Sequence, residues 1–158
     1  MKRKFSVFFI FIILVSTLLS LSGFTRGKVY ADQLYQSKAI YLCDAETGTV
    51  MLKENETKRY PIASMCKIMT LLLAFEEIDN GNLTLDEQII VSRNASGMGG
   101  SQVFLEENGK YKVFDLLKSI TVASANDACV AIAERICGSE SNFVDKMNEK
   151  AKMLGINI

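Results

Sequence analysis

Between Met65 and Asp79, apolar side chains fall on nearly every face of a helix: Ile68, Met69, Leu71, Leu72, Leu73, Phe75 and Ile78. A helix that is apolar all round is buried, so this stretch predicts the central element of a fold. Asn80-Gly81 ends it in the manner of a left-handed cap. The residues that open it carry chemistry. Ser64 precedes Lys67 by three positions, a spacing that puts both on one side of a helix. A serine hydroxyl is a poor nucleophile until a base takes its proton. The chain contains no histidine, so that base is Lys67 or a carboxylate.

A chain of 158 residues suffices for one modest domain. Its hydrophobic and charged fractions, 49% and 23%, are globular rather than disordered. Eighteen basic and eighteen acidic residues cancel, which removes any electrostatic case for nucleic acid or an anionic membrane surface. The N-terminus departs from this balance. Lys2, Arg3 and Lys4 precede a nearly continuous apolar run from Phe5 to Leu21. Val29-Tyr30-Ala31 then offers small residues where a signal peptidase reads them. Residues 1–31 therefore read as a secretory signal cleaved after Ala31, and residues 32–158 as the exported part. Cleavage after Ser22 is one alternative. An uncleaved anchor is another, since the apolar run is near the short limit for a spanning helix.

Export permits disulfides. The four cysteines, Cys43, Cys66, Cys129 and Cys137, form no C-x-x-C, and without histidine a mixed Cys/His zinc site is excluded. Cys43, Cys66 and Cys129 sit among apolar neighbours and read as small buried hydrophobes. Cys66, between Ser64 and Lys67, is expected to point away from them.

Along the chain, Ala39 to Asp44 and Thr49 to Lys53 are β-prone, and Ala45-Glu46-Thr47-Gly48 joins them as a hairpin turn. Gln88 to Val91 is a short extended run. Residues 92–101 read as loop, with Gly97, Gly99 and Gly100 close together. No Walker or dinucleotide fingerprint accompanies these glycines; they suit a loop whose backbone approaches something closely. Gln102 to Leu105 and Lys110 to Val113 predict a second hairpin. Phe114 to Val122 predicts a helix with Leu116, Leu117 and Ile120 inward. Ala128 to Ile136 follows, capped by Asn126 or Asp127 and stopped by Gly138. A last helix runs from about Glu140 to Leu154, with Ser139 as its cap and Gly155 as its end.

Three pieces bear on function together. Ser64 is the candidate nucleophile. Lys67 is the candidate base in its neutral form, which burial and a helix N-terminus both favour. Ser124 and Asn126 come from a loop between helices that can lie over the same cleft. A second hydroxyl beside the lysine can relay its proton to a leaving amine, and an asparagine amide can hold both lysine and substrate. The Ser64 N–H, at a helix start, can donate to an oxyanion. Taken singly, Ser64, Ser124 and Asn126 are equally well read as helix caps.

The conjunction resembles a known family. Asp44-Ala45-Glu46-Thr47-Gly48, Ile62-Ala63-Ser64-Met65-Cys66-Lys67, Met98-Gly99-Gly100-Ser101-Gln102 and Ser124-Ala125-Asn126-Asp127-Ala128 occur in this order. Phe143, Met147-Asn148 and Leu154-Gly155 follow. Together they are similar to the N-terminal part of serine-type D-Ala-D-Ala carboxypeptidases, the low-molecular-mass penicillin-binding proteins. Cys66 stands where that family often has threonine. The resemblance implies the α/β transpeptidase fold of penicillin-binding proteins and β-lactamases, present as its helical half plus the N-terminal hairpin of its sheet. It implies acyl transfer in the cell envelope, outside the cytoplasm. Ser64 would attack the carbonyl between the terminal D-alanines of a peptidoglycan stem peptide, with Lys67 as general base. Ser124 would relay the proton, and Asn126 would position Lys67 and substrate. β-Lactams would acylate Ser64, with neither metal nor organic cofactor required.

One part of the family pattern does not occur here. Its third motif, Lys-Thr-Gly on a strand that lines the cleft and supplies a second oxyanion N–H, has no counterpart after Asn126. Thr47-Gly48 follows Glu46 and precedes Ser64, so it is no substitute. The expectation is a truncated form with weak or no turnover, since one lost oxyanion donor alone costs about a hundredfold or more. Membrane attachment would come only through the signal or a C-terminal anchor outside the sequence. Two readings remain beside this one. A β-lactamase of the same fold usually has Ser-Asp-Asn where this chain has Ser124-Ala125-Asn126. An exported, non-catalytic remnant is the other.

Overall fold

The computed structural model describes residues 35–156. The expected signal, residues 1–31, lies outside the described residues. The chain divides into two compact units, one up to Arg59 and one from Tyr60 onward.

In the first unit, β1 (Ile40–Cys43) pairs antiparallel with β2 (Val50–Glu54), Leu42 opposite Leu52, with a register shift between Leu42 and Cys43. This is the hairpin that the sequence predicts. Its turn is built on Asp44, whose carboxylate accepts from the Thr47 N–H and hydroxyl, each at 2.7 Å, and from the Glu46 N–H at 3.2 Å. These donors, the Thr47 hydroxyl foremost, hold the Asp44 carboxyl below its ordinary value. Gly48 closes the turn at φ +69°, a conformation that costs glycine little.

The second unit is mostly helical. A 3-10 turn, Ala63–Cys66, leads into α1 (Lys67–Asp79). The short helix α2 (Arg93–Ser96) starts at Ser92, whose hydroxyl accepts from the Ala95 N–H at 3.0 Å. Then come α3 (Val113–Ala123), α4 (Asn126–Cys137) and α5 (Glu140–Met153). Apart from the head of α4, which starts at Asn126 with Ala125 rather than Asn126 or Asp127 at its cap, the stop and start signals fall where the sequence puts them. Gly138 is left-handed after α4, Ser139 accepts from Asn142 N–H at the head of α5, and Gly155 follows its end at φ +75°.

α4 lies at the centre of this unit, packed on α1, α2, α3 and α5 and on the strand β3 (Gln88–Ile90). Its buried residues include Ala128, Ala131 and Ala133, small enough to let neighbouring helices approach closely. Val91, Val113, Leu116, Ile120 and Ile132 fill the main core. Leu73, Ala133 and Phe143 form a smaller cluster where α5 meets α1. Two ion pairs brace that seam, Lys146 with Glu77 and Lys150 with Glu76, the second at 2.8 Å. The Lys146 ammonium, helped by the Asn82 amide, holds the Glu77 carboxyl below its usual range.

Two expectations change. The second hairpin joins β3 to β4 (Lys110–Lys112), with Ile89 opposite Tyr111; Gln102 to Leu105 is not one of its strands. Phe104 sits at φ +59°, which breaks an extended run, and the N–H groups of Val103 and Leu105 are taken by the Asp127 carboxylate. Secondly, α1 is not buried all round. It buries Lys67, Thr70, Leu73 and Ala74, whereas Met65 and Ile68 are 64% and 68% exposed and Phe75 is half exposed. α4 and α5 cover one side of α1, and this apolar stripe lies on the opposite side.

Candidate active site

The site is assembled from three chain segments. Ser64 stands in the 3-10 turn one step before α1, and Lys67 is the first residue of α1. The turn keeps the three-residue spacing on one side, so the lysine folds back toward the serine: Nζ donates to Ser64 Oγ at 3.3 Å. The same Nζ donates to Ser124 Oγ at 2.9 Å and to the Ser124 carbonyl at 2.7 Å. Lys67 is 8% exposed. Three oxygens thus surround a nearly buried nitrogen, the condition under which burying a polar group is tolerable.

Ser124 reaches the lysine with both oxygens because of its backbone. It ends α3 at φ 54°, ψ 40°, a left-handed conformation that is costly for a residue with a Cβ. Ala63, immediately before Ser64, also has positive φ, at 47°. Non-glycine residues in this region cluster where a site dictates the backbone. Of the five such residues among the described ones, Ala63 stands beside the candidate nucleophile and Ser124 is its hydroxyl neighbour, while Asn55, Phe104 and Asn108 lie in other turns and loops.

Asn126 opens α4. Its N–H donates to the Ser101 carbonyl and its amide to the Gly99 carbonyl, both at 2.7 Å. The amide's partner is thus the glycine loop, while Lys67 Nζ pairs with Ser64 and Ser124. Asn126 shares with Lys67 the lining of one cavity of about 230 Å³, to which Phe143 and Met147 of α5 also contribute. The close approach expected of the glycine loop is to this side chain. Gly100 has φ +79°, and a Cβ there would lie 2.9 Å from Asn126 Nδ2. Gly100→Ala therefore pits left-handed strain of about 1–2 kcal/mol against the Asn126 amide. Its urea midpoint is expected below that of the parent; an unchanged midpoint would mean that the loop yields freely.

Asp127 is a residue whose part the sequence does not reveal. The sequence offers it as a helix cap, but the cap position of α4 is Ala125. Asp127 is wholly buried, and its carboxylate accepts from the N–H groups of Val103, Leu105 and Ala128 at 2.9–3.3 Å. It ties the loop after Gly100 to the head of α4, and so supports the placement of Asn126.

The cysteines also depart from expectation. Cys43 and Cys66 are exposed rather than buried, and Cys66 lines the cavity beside Lys67 instead of pointing away. Cys129 lines it from α4. Burial pushes the Cys129 thiol up to about 11, with the Lys67 charge opposing. Among the described residues no group of three or more Cys, Asp or Glu side chains could hold a metal ion.

The sequence from residue 27 to 157 matches the model of the D-alanyl-D-alanine carboxypeptidase family. The chain is 42% identical to D-alanyl-D-alanine carboxypeptidase DacF of Bacillus subtilis over 99% of its own length and 40% of that protein's. It is 36% identical to DacD of Escherichia coli, over 72% of this chain and 31% of that one. In structure it is similar to DacD of Francisella tularensis, with a TM-score of 0.76 and 37% identity over 78% of this chain and 30% of that one. It is similar too to penicillin-binding protein D2 of Listeria monocytogenes in its ampicillin-bound form, with a TM-score of 0.65 and 31% identity over 74% and 46% of the two chains. The chain thus spans about two-fifths or less of the length of these curated relatives. The fold is α/β, a part of the transpeptidase fold of these neighbours. By its sequence match, and with the Ser64-x-x-Lys67 pair set beside Ser124, the chain belongs to the D-alanyl-D-alanine carboxypeptidase family.

Proposed function

We propose that this chain carries the nucleophile half of an acyl-transfer site acting on peptides that end in D-Ala-D-Ala, the stem peptides of peptidoglycan. One observation carries the reading: a single lysine nitrogen lies within hydrogen-bond distance of two serine hydroxyls, Ser64 and Ser124. Ser64 Oγ attacks the carbonyl between the D-alanines while neutral Lys67 takes its proton. The Ser64 N–H supplies one donor to the oxyanion. Collapse of the adduct breaks the peptide bond, and the proton passes from Lys67 through Ser124 to the departing D-alanine amine. Water then cleaves the ester and restores Ser64. Asn126 borders the same cavity and orients the substrate amide. The names of the relatives support the substrate, and the ampicillin-bound and cefotaxime-bound relatives support β-lactams as acylating mimics. The N-terminal residues support an export signal, which would deliver the chain to the cell envelope. No helix among the described residues is long and apolar enough to cross a membrane.

The test is intact mass after prolonged incubation with benzylpenicillin, followed by peptide mapping. A single adduct on the Ser64 peptide, lost in Ser64→Ala, is expected. An adduct that survives Ser64→Ala, or none at all from chain that is folded by circular dichroism, would overturn the proposal.

A further inference from the structure

Two thiols share the lining of the cavity beside Lys67. Cys66 and Cys129 both line it. Cys66 stands one helical turn before Thr70, on the same side of the chain as it enters α1. Thr70 is buried there and lies against the Cys129 thiol of α4, both lining the cavity. The two thiols thus flank Thr70, one in the turn that enters α1 and one on α4, which packs against α1. Acyl transfer uses neither. Their exposure differs: Cys66 is open to solvent, and Cys129 is partly covered.

We propose that Cys66 and Cys129 form a redox-active thiol pair that closes to a disulfide by exchange with a small-molecule disulfide. The accessible Cys66 thiolate attacks one sulfur of the small disulfide. A mixed disulfide forms, and the first small thiol leaves with a proton from solvent. Cys129 then loses its proton and attacks the Cys66 sulfur, expelling the second small thiol. Two protein thiols are oxidised and one small disulfide is reduced to two thiols, so no other oxidant enters. Only the thiolate attacks. Because burial holds the Cys129 thiol up at about 11, closure is the slow step near neutral pH and quickens about tenfold per pH unit below that value. The bridge crosses the wall next to Lys67 and Asn126, narrowing the approach to both.

The experiment incubates the chain with oxidised glutathione at two alkaline pH values one unit apart, quenches in acid, and maps disulfides by mass spectrometry without reduction. A glutathione adduct on Cys66 is expected first, followed by a Cys66–Cys129 cross-link that forms about tenfold faster at the higher pH. Cys129→Ala is expected to stop at the adduct, and Cys137→Ala to behave as the parent. A stable Cys66 adduct at both pH values, a bridge to Cys43 or Cys137, or no reaction at Cys66 overturns the proposal. The cross-link map of the parent decides the matter even if a variant fails to fold. The readout is a bond between sulfurs, so it is independent of whether Ser64 acylates.

Discussion

Lys67→Ala is expected to slow acylation of Ser64 by about 10²–10⁴-fold, the range typical of a positioned general base. Nζ is the group that links the two hydroxyls, and no histidine exists to replace it. The alanine variant alone is ambiguous. It also strips a donor from the Ser124 carbonyl and hydroxyl, and each buried group left without a partner costs about 1–3 kcal/mol. Lys67→Arg separates the effects. A guanidinium keeps the charge and the donors but does not deprotonate in proteins. The arginine variant is therefore expected to hold its urea midpoint closer to the parent than the alanine variant does, and still to acylate no faster. Penicillin adduct formation followed by mass, beside denaturation curves, checks both parts. Acylation of the arginine variant at the parent's rate would remove Lys67 as the base and leave it a structural cation.

Much of this arrangement is legible in the sequence because it rests on local rules. Ser-x-x-Lys at a helix start fixes the distance between Ser64 and Lys67 before any tertiary contact forms. Gly81, Gly138 and Gly155 end helices because only glycine takes the left-handed region cheaply. The failures come where a distant group overrides local preference. Residues 102–105 look like a strand, but a carboxylate more than twenty positions away claims their N–H groups, and β4 pairs with Gln88–Ile90 instead. The left-handed turn at Ser124 carries no glycine or asparagine to announce it; Lys67 rewards it from 57 residues away. Apolar pattern misleads in another way. Ile68, Leu72 and Phe75 mark a hydrophobic face on α1 that Met65 continues in the turn before it, yet pattern reports the chemistry of a face and not what lies against it.

Asp127→Ala is expected to be the most destabilising substitution in the second unit away from the large core side chains. Asp127 is 0% exposed, and three backbone N–H groups converge on its carboxylate: Val103 at 3.1 Å, Leu105 at 3.0 Å and Ala128 at 2.9 Å. Its position in the first turn of α4 adds the favourable end of the helix dipole. Alanine leaves the three donors without their acceptor, at about 1–3 kcal/mol for each that water cannot reach. A total of about 4 kcal/mol would take a large part of the 5–15 kcal/mol that typically holds a domain together. Asp127→Asn keeps the shape but turns an NH2 toward donors, so it is expected to lose stability with no cavity to explain the loss. Urea denaturation measures both. Amide exchange of Val103 and Leu105 should quicken in both variants before global unfolding does. An unchanged midpoint in Asp127→Ala would mean that the loop finds other acceptors. The consequence then reaches the site. Gly99 and Ser101 hold Asn126 from the other end of the same loop, so a loop freed at Val103 and Leu105 loses its grip on Asn126 while Ser64, Lys67 and Ser124 keep their contacts.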